Sequence, residues 1–419
     1  MNSFVYRDGY LFAEEVSLAT IADRFGTPCY VYSRSMIEDR WHAFDEAFGA
    51  RDHRLCYSVK ANSNLAVLNI LSRLGSGFGI VSGGELERVL RAGGDASRVV
   101  FSGVGKSDAE MRQGLQAGID CFNIESADEL SRLNDIAADT GVQAPIALRV
   151  NPDVDPNTHP YISTGLKQNK FGIPIEIAGD LYARAQSLPN ITINGVACHI
   201  GSQLTEMAPF IDTLDRLLML VDALRGNGVE LKNLDLGGGL GIRYRDEQPP
   251  TPQDYVATLM DKLDKSSSKE LRIIIEPGRA LVGEAGLLLT RVEYVKHGKI
   301  KNFAVMDAGV NDFIRPALYD AWHEILPVSK RGKGATHTYD VVGPVCESSD
   351  FLGRERELSV AKGDVLAIKC AGAYGACMTS RYNTRPLAVE VMVDKDKTHL
   401  IRRRETIDEM LATESILPG

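Results

Sequence analysis

Short apolar runs alternate with amphipathic segments along the first two thirds of the chain. Eight runs have the length and composition of buried strands, at residues 55–59, 77–82, 99–102, 120–124, 146–150, 193–200, 231–236 and 271–276. Segments with helical spacing of apolar residues lie between them, at residues 65–74, 85–92, 108–117, 127–139, 175–188 and 208–225. Eight strands that alternate with helices over about 250 residues are typical of a (β/α)8 barrel.

The pattern changes after residue 277. Strand-like runs at residues 287–295, 303–306, 339–342, 365–369 and 387–393 are separated by turns rich in Gly, Asp and Lys. Residues 317–325 and the charged tail 402–411 are the two helix-like exceptions. Such spacing favours a mainly antiparallel β domain, and we expect the β-prone pieces of the first 30 residues to join it. We therefore predict an α/β protein with a barrel over residues 31–277 and a β-rich domain over residues 1–30 and 278–419.

Composition narrows the class of protein. The 419 residues are 44% hydrophobic and 25% charged, which is the balance of a globular enzyme with room for two domains. A net charge of -9 without a basic run argues against nucleic acid as a partner. No run is long and apolar enough to span a membrane, and the N-terminal segment lacks the features of a signal peptide. Seven cysteines without CxxC spacing predict neither a disulfide framework nor a zinc site, and favour the reducing cytoplasm.

The first candidate for chemistry is Lys60, which ends the apolar run that begins at Leu55. Barrels place their chemistry at the C-terminal ends of the strands. A desolvated lysine can lose its proton there and attack a carbonyl to form a Schiff base. Taken alone, the position fits better a lysine that merely reaches solvent from a strand end. The other motifs of the chain favour the Schiff-base role for Lys60 over the structural one.

Two loops of the predicted barrel have residues suited to a phosphorylated ring. Gly237, Gly238 and Gly239 follow the seventh strand, and three glycines in a row expose more backbone N–H groups than a simple turn needs, which favours phosphate binding. Glu276 follows the eighth strand and is followed by Pro, Gly and Arg279. Its carboxylate could keep a ring nitrogen protonated, or it could form a structural ion pair with Arg279. The residues alone leave these two interpretations equal.

Other polar residues follow the fifth and sixth strands. The imidazole of His199 could stack on an aromatic ring and Ser202 could bind a phosphate, although a histidine in this place is more often a packed or capping residue. Arg149 ends the fifth strand, and pairing within the barrel explains it without a functional role.

The predicted β-rich domain contributes three polar clusters. Cys346 beside Glu347 could donate a proton, although a buried and inert cysteine is the usual case. Arg315, four residues before Tyr319, could clamp a carboxylate through two hydrogen bonds, or simply pair at the surface. Tyr374 is the one phenol in a loop of small residues.

Six of these motifs occur together and in a fixed order. They are Tyr-Ser-Val-Lys-Ala-Asn at 57–62, His-Ile-Gly-Ser-Gln at 199–203, Gly-Gly-Gly-Leu-Gly at 237–241, Glu-Pro-Gly-Arg at 276–279, Cys-Glu-Ser-Ser-Asp at 346–350 and Gly-Ala-Tyr-Gly at 372–375. The set resembles the diaminopimelate decarboxylase family of fold-type III pyridoxal 5'-phosphate (PLP) enzymes. Each motif is weakly specific, but six in order over nearly the whole chain are strongly so.

The resemblance implies PLP as cofactor and a homodimer with active sites at the subunit boundary. By position, Lys60 would hold the cofactor through a Schiff base, His199 would stack on the pyridine ring, and Glu276 would pair with its nitrogen. The remaining residues expected to bind the cofactor, mostly its phosphate, are Ser202, Gly237, Gly238, Gly239, Gly278, Arg279 and Tyr374.

The resemblance also implies the substrate and the reaction. The substrate-binding residues would be Arg279, Arg315, Tyr319, Glu347 and Tyr374. Of these, Glu347 would suit the ammonium group at the distal end of the substrate, and Cys346 of the partner subunit would protonate the carbanion left when CO2 departs. The expected reaction is decarboxylation of meso-2,6-diaminopimelate to L-lysine, the last step of lysine biosynthesis.

One position departs from the family pattern. Gly79 stands in the second strand where the family usually has aspartate. A missing carboxylate would change the charge near the cofactor, and glycine is unfavourable within a strand. Our hypothesis is that Gly79→Asp leaves turnover unchanged or improves it.

Three alternatives stay open. A related PLP decarboxylase would act on ornithine, arginine or carboxynorspermidine, which do not require both an arginine clamp and Glu347. An alanine racemase shares the barrel but would use a tyrosine acid in place of the Cys346 segment. A non-catalytic binding protein with this fold is the third alternative, and Gly79 gives it some support.

Overall fold

Eight buried parallel strands form one closed sheet in the computed structural model, which describes residues 3–154, 170–330 and 334–418. The strands are β1 (His53–Ser58), β2 (Gly77–Ile80), β3 (Val99–Phe101), β4 (Cys121–Ile124), β5 (Ala144–Asn151), β6 (Ile191–Ala197), β7 (Asn233–Asp235) and β8 (Arg272–Ile275). Each pairs in parallel with the next, and β8 pairs with β1. A short strand, Ile173–Pro174, pairs with the end of β5. The predicted barrel is confirmed.

Helices follow the barrel strands. Their bounds are Leu65–Arg73, Gly83–Arg91, Asp108–Ala117, Ala127–Thr140, Ala178–Ser187, Ala208–Gly226 and Pro252–Asp264. Hydroxyl side chains cap several of them. At one N-terminus, the Ser107 hydroxyl accepts a hydrogen bond from the backbone N–H of Glu110, and the Glu110 side chain accepts one from the backbone N–H of Ser107. The sequence pattern did not identify Pro252–Asp264, although Thr251 caps it and proline occupies its first turn. Among the described residues, no helix combines the length and apolar character that crossing a membrane requires.

The chain divides into two units. One, called the barrel unit, comprises the described residues of Arg40–Arg243 and Glu247–Leu281. The other, called the β-rich unit, comprises those of Met1–Asp39, Tyr244–Asp246 and Val282–Gly419. Two helices, Arg34–Ala47 and Arg279–Val282, contain points where the chain changes unit.

The β-rich unit is mainly antiparallel, as predicted. Its strands are Phe4–Arg7, Tyr10–Ala13, Val16–Ser17, Cys29–Ser33, Gly286–Lys296, Asn302–Met306, Ile325–Pro327, His337–Val342, Phe351–Leu358, Val365–Ile368, Val389–Asp394 and Lys397–Arg402. The buried strand Gly286–Lys296 is central, because it pairs antiparallel with three others. Two pairings are parallel, Asn302–Met306 with His337–Val342 and Val389–Asp394 with Cys29–Ser33. Its short helices include Leu18–Phe25, Arg315–Tyr319 and Ile407–Leu411.

Three local predictions in this unit were wrong in extent or missing. The helix predicted over residues 317–325 is Arg315–Tyr319, because Asp320 adopts a left-handed backbone with φ of 50° and ends it. In the tail predicted as a helix over residues 402–411, only Ile407–Leu411 is helical, and Arg402 is the last residue of the strand Lys397–Arg402. The strand Phe351–Leu358 was not predicted, because its charged residues interrupt the alternation of apolar and polar positions that marks a strand. It lies at the end of its sheet, where charged side chains protect an exposed edge from pairing with other chains.

Candidate active site

The carboxyl ends of the barrel strands surround one pocket. Its lining residues come from the ends of all eight barrel strands and the loops that follow them: Ser58, Lys60, Gly79, Val81, Ser102, Asn123, Arg149, Cys198, His199, Gly238 and Glu276. This is the face on which α/β barrels place their chemistry. Lys60, His199, Gly238 and Glu276 were predicted as site residues, and the fold brings them together here.

Lys60 lies just beyond β1 in a 3₁₀ turn, Val59–Ala61, rather than within the strand. The neighbouring backbone is buried, whereas the Lys60 side chain is exposed and lines the pocket. Two hydrogen bonds fix the turn: the Tyr57 hydroxyl donates to the carbonyl of Asn62 at 2.9 Å, and the Ser58 hydroxyl donates to the carbonyl of Glu276 at 2.9 Å. The turn therefore presents an accessible amine from a rigid support.

His199 is held in one tautomer. The backbone N–H of Gly238 donates to Nδ1 of His199 at 3.3 Å, and since a backbone N–H can only donate, the ring hydrogen is on Nε2. Burial, followed by the positive charges of Lys60 and Arg149, lowers the pKa of His199 well below its usual value. The imidazole is therefore neutral at physiological pH, and in this form it can stack on an aromatic ring without adding a positive charge.

Two acidic side chains meet beneath the pocket. Asp235, only 3% exposed at the end of β7, accepts a hydrogen bond from the backbone N–H of Gly237 at 2.8 Å and shares another with the Glu276 side chain. Burial and then the charge of Glu276 raise the pKa of Asp235 well above its usual value. The buried surroundings of Asp235 therefore favour its protonated form. Sequence reasoning did not single out this residue, although it begins the glycine-rich motif.

The glycine loop after β7 has a steric reason for each glycine. A Cβ atom at Gly237 would lie 2.3 Å from the carbonyl oxygen of Cys198, one at Gly238 would lie 2.2 Å from that of Glu276, and one at Gly239 would lie 2.7 Å from that of Gly201. Gly237 and Gly239 also have positive φ, at 66° and 120°. The loop thus packs its backbone directly against the ends of β6 and β8.

A polar pair adjoins this loop. Arg279, 5% exposed, donates from Nη2 to the hydroxyl of Ser202 at 2.9 Å. The two residues follow β8 and β6, so barrel closure joins motifs that are 77 residues apart. Gly278 beside them is also close-packed, since a Cβ atom there would lie 3.0 Å from Cβ of Ser58.

Gly79 faces Glu276 across the pocket wall. A Cβ atom at Gly79 would lie 2.4 Å from Oε2 of Glu276. The glycine therefore leaves room that the end of the Glu276 side chain occupies. Any larger residue at position 79 requires that carboxyl group to move, which a flexible side-chain end can do at low cost.

Ser102, Asn123 and Cys198 also line the pocket and were not predicted as site residues. The signal that could have found them is position, because each lies at or just after the end of a barrel strand. Arg149 forms the pairing within the barrel that we expected, donating to Oε1 of Glu125 at 2.7 Å, and it also lines the pocket.

The other predicted site residues belong to the β-rich unit. Cys346 is exposed, so the expectation of a buried and inert thiol is wrong, and its backbone N–H donates to Oδ1 of Asn383 at 3.2 Å. Glu347 is exposed and accepts a hydrogen bond of 2.5 Å from the hydroxyl of Tyr382. Tyr374 is partly buried and has a left-handed backbone, with φ of 55°.

Arg315 is 5% exposed, so surface pairing is excluded for it. Its guanidinium lies near the ring of Tyr319, with Cζ 5.6 Å from the ring centroid. The two residues predicted to bind substrate from this helix are thus in contact with each other.

Comparison with known proteins identifies the family. Residues 34–283 match the model of the pyridoxal-dependent decarboxylase, pyridoxal binding domain. A diaminopimelate decarboxylase of Vibrio cholerae is 58% identical over 419 residues, and one of Pseudomonas aeruginosa is 57% identical over 418; both alignments cover 100% of each chain. The chain belongs to the diaminopimelate decarboxylase family.

Solved structures agree with this membership in the diaminopimelate decarboxylase family. The enzyme of M. jannaschii in complex with L-lysine has a TM-score of 0.94 at 39% identity, over 100% of this chain and 98% of that one. The enzyme of Helicobacter pylori complexed with L-lysine has a TM-score of 0.91 at 40% identity, over 94% and 98%.

Enzymes of the diaminopimelate decarboxylase family use PLP, and the pocket fits that cofactor. An accessible amine at Lys60 suits its aldehyde, and the neutral imidazole of His199 suits its ring. The close-packed backbone of the glycine loop, with the Ser202–Arg279 pair beside it, suits a phosphate.

Proposed function

We propose that this chain is a PLP-dependent decarboxylase that converts meso-2,6-diaminopimelate to L-lysine and CO2, the last step of lysine biosynthesis. The observation that carries the proposal is the pocket in which the Lys60 amine, a neutral His199 and Glu276 meet. Full-length identity of 58% to a diaminopimelate decarboxylase supports the choice of substrate, as do the L-lysine complexes of similar structures.

Residues of the barrel unit, together with Tyr374 of the β-rich unit, would hold the cofactor. Lys60 would bind its aldehyde carbon, His199 would cover one face of the ring, and Glu276 would hold the ring nitrogen protonated. The phosphate would be held by Ser202, Gly237, Gly238, Gly239, Gly278, Arg279 and Tyr374. When bound, PLP supplies an electron sink for the pair of electrons that remains when CO2 departs.

Arg279 and residues of the β-rich unit would select the substrate and complete the reaction. Arg279 and Arg315, with Tyr319 and Tyr374, would bind substrate carboxylate, and the buried guanidinium of Arg315 supports a role beyond surface pairing. Glu347 would bind the distal ammonium group. Cys346 of the partner subunit would donate the proton that replaces the carboxylate on carbon, and an exposed thiol supports this role.

We extend the proposal to assembly and location. The active unit would be a homodimer, with the β-rich domain of residues 1–30 and 278–419 contributing to the interface and the site, and residues 31–277 forming the PLP-binding barrel. The cytoplasm would be its location. Sedimentation of the purified protein, with and without PLP, tests the dimer.

Release of CO2 from meso-diaminopimelate in the presence of added PLP tests the function. We expect a high rate with this substrate and a much lower one with ornithine, because Glu347 and the arginine clamp address both ends of diaminopimelate. Faster release from ornithine or arginine would assign the chain to a related decarboxylase. Bound PLP with no CO2 from any amino acid would indicate a binding protein, and alanine racemisation would indicate a racemase.

A further inference from the structure

We propose that His323 is a positioning residue that holds the guanidinium of Arg315 in the orientation needed to bind a substrate carboxylate. The inference rests on the proposed function, in which Arg315 binds substrate. The assignment concerns the β-rich unit alone, to which both residues belong. His323 is 0% exposed and Arg315 is 5% exposed, so both must find their partners within the protein.

The hydrogen bonds of His323 define its tautomer. Its Nδ1 lies 2.9 Å from the carbonyl oxygen of Lys369. Since a carbonyl oxygen can only accept, Nδ1 must carry a hydrogen. Nε2 accepts a hydrogen bond from Nε–H of Arg315, at 3.4 Å. This pair of contacts requires a neutral ring, because a doubly protonated His323 would turn a second N–H and a like charge toward the guanidinium.

Aromatic rings limit the rotation of both groups. His323 meets the rings of Phe313 and Tyr244 edge to face, with centroids 4.7 and 5.0 Å away. The guanidinium carbon of Arg315 lies 5.4 Å from the ring centroid of Tyr244 and 5.6 Å from that of Tyr319. Tyr244 thus contacts both His323 and Arg315, and packing fixes the planes of the imidazole and the guanidinium.

The backbone that supports His323 is part of a sheet. The strand Ile325–Pro327 follows it and pairs antiparallel with Val365–Ile368. The backbone N–H of Lys369 extends this pairing by donating to the carbonyl of Glu324 at 2.9 Å. The carbonyl that receives the His323 hydrogen bond is therefore held by sheet structure, which makes it a more exact support than a loop would be.

His323 accepts from Nε of Arg315, while the rings of Tyr244 and Tyr319 lie over its guanidinium group. A carboxylate binds arginine through two parallel N–H groups, and the angle of that fork is set by how Nε and the plane are held. A histidine that accepts at Nε can therefore orient the fork without contacting substrate. His323 lies eight residues after Arg315, beyond the end of the helix, so local sequence gave no sign of the pair.

A double-mutant cycle in the full-length, PLP-loaded protein tests the proposal. His323→Phe keeps a planar ring against Phe313 and Tyr244 but removes both ring nitrogens. We expect it to raise KM for meso-diaminopimelate by about tenfold with a smaller change in kcat. His323→Gln, whose amide can accept near the position of Nε2, should recover part of that loss. His399→Phe, at an exposed histidine in the same unit, is the matched control and should leave KM unchanged.

The same substitution in an Arg315→Ala background separates positioning from general stability. If His323 acts through Arg315, His323→Phe raises KM little further once Arg315 is absent. An equal rise in KM in both backgrounds would overturn the proposal. So would a lower melting temperature for His323→Phe with an unchanged KM.

A readout without turnover keeps the two proposals distinguishable. The Nε–H proton of Arg315, followed by NMR, should exchange slowly with solvent and should lose this protection in His323→Phe. If the wild-type protein released no CO2 but showed this pattern, the proposed function would fail while the positioning of Arg315 by His323 stood. Fast exchange in the wild type would refute the positioning itself.

Discussion

Replacing Gly238 with alanine tests the close contact between the glycine loop and the end of β8. The added Cβ would lie 2.2 Å from the carbonyl oxygen of Glu276. Non-bonded atoms settle near 3.5 Å, so the loop and the strand end must separate by about 1 Å. The obstacle is a backbone atom, so no side-chain rotation can relieve the contact.

Two hydrogen bonds depend on this contact. Glu276 N–H donates to the carbonyl of Gly237 at 2.7 Å, and Gly238 N–H donates to Nδ1 of His199 at 3.3 Å. Losing a buried bond costs about 1–3 kcal/mol, so we expect Gly238→Ala to lower the free energy of unfolding by roughly 2–4 kcal/mol. The melting temperature of the cofactor-free protein should fall by roughly 5–10 °C. Affinity for PLP should fall at least about tenfold, because His199 loses the donor that fixes its tautomer.

Thermal unfolding of the cofactor-free protein and absorbance titration with PLP measure the two effects. Gly179→Ala is the matched control, because Gly179 lies in the helix Ala178–Ser187 and a Cβ atom there meets nothing within 4 Å. Alanine in that helix should stabilise the protein by about 0.5–1 kcal/mol. If Gly238→Ala melted within 1 °C of the wild type and bound PLP equally well, the steric reasoning would be refuted.

Four further outcomes follow from the site. Lys60→Ala should abolish turnover and the visible absorption of lysine-bound cofactor, since no other lysine lines the pocket among the described residues. Cys346→Ala should lower kcat, by roughly the 10²–10⁴-fold worth of a general acid, with PLP still bound. Gly79→Asp should leave turnover unchanged or improve it, because the Cβ atom added there would meet the movable end of the Glu276 side chain rather than backbone. The neutral state of His199 should make stability pH-dependent: with its folded pKa lowered, unfolding takes up a proton, so stability falls as pH drops below about 6.5, and His199→Gln should remove this part of the profile.

Each outcome has a control and a contrary result. Lys265→Ala, at an exposed lysine just after the helix Pro252–Asp264, should change neither absorption nor turnover. Retention of both in Lys60→Ala would exclude the Schiff base. Cys377→Ala, at another exposed thiol, is the control for Cys346→Ala and should not lower kcat. If Cys346→Ala turned over at the wild-type rate, Cys346 would not be the proton donor. A loss of turnover above tenfold in Gly79→Asp would show that the wall beside Glu276 cannot adapt. Identical pH profiles for wild type and His199→Gln would contradict the lowered pKa.

Much of the barrel was predictable because its information is local. Eight short apolar runs separated by helical segments are visible in the sequence, and each proved to be a barrel strand within a few residues. The glycine loop after β7 was predictable for a related reason, since three adjacent glycines signal close backbone packing whatever the partner is. Errors arose where local and tertiary signals conflict, as in the charged strand Phe351–Leu358, whose pairing rather than its pattern makes it β.

The amino-acid sequence by itself determined the strand and helix order, the glycine loop and the positions of Lys60, His199 and Glu276 at strand ends. Tertiary structure alone decided that Gly79 abuts Glu276 across 197 residues of chain, that burial raises the pKa of Asp235 and that His323 accepts a hydrogen bond from Arg315. The physical reason is that the apolar periodicity that specifies a strand or a helix depends only on residues close together in the sequence. Distances, burial and charge between remote side chains exist only once the barrel has closed and the sheet has paired.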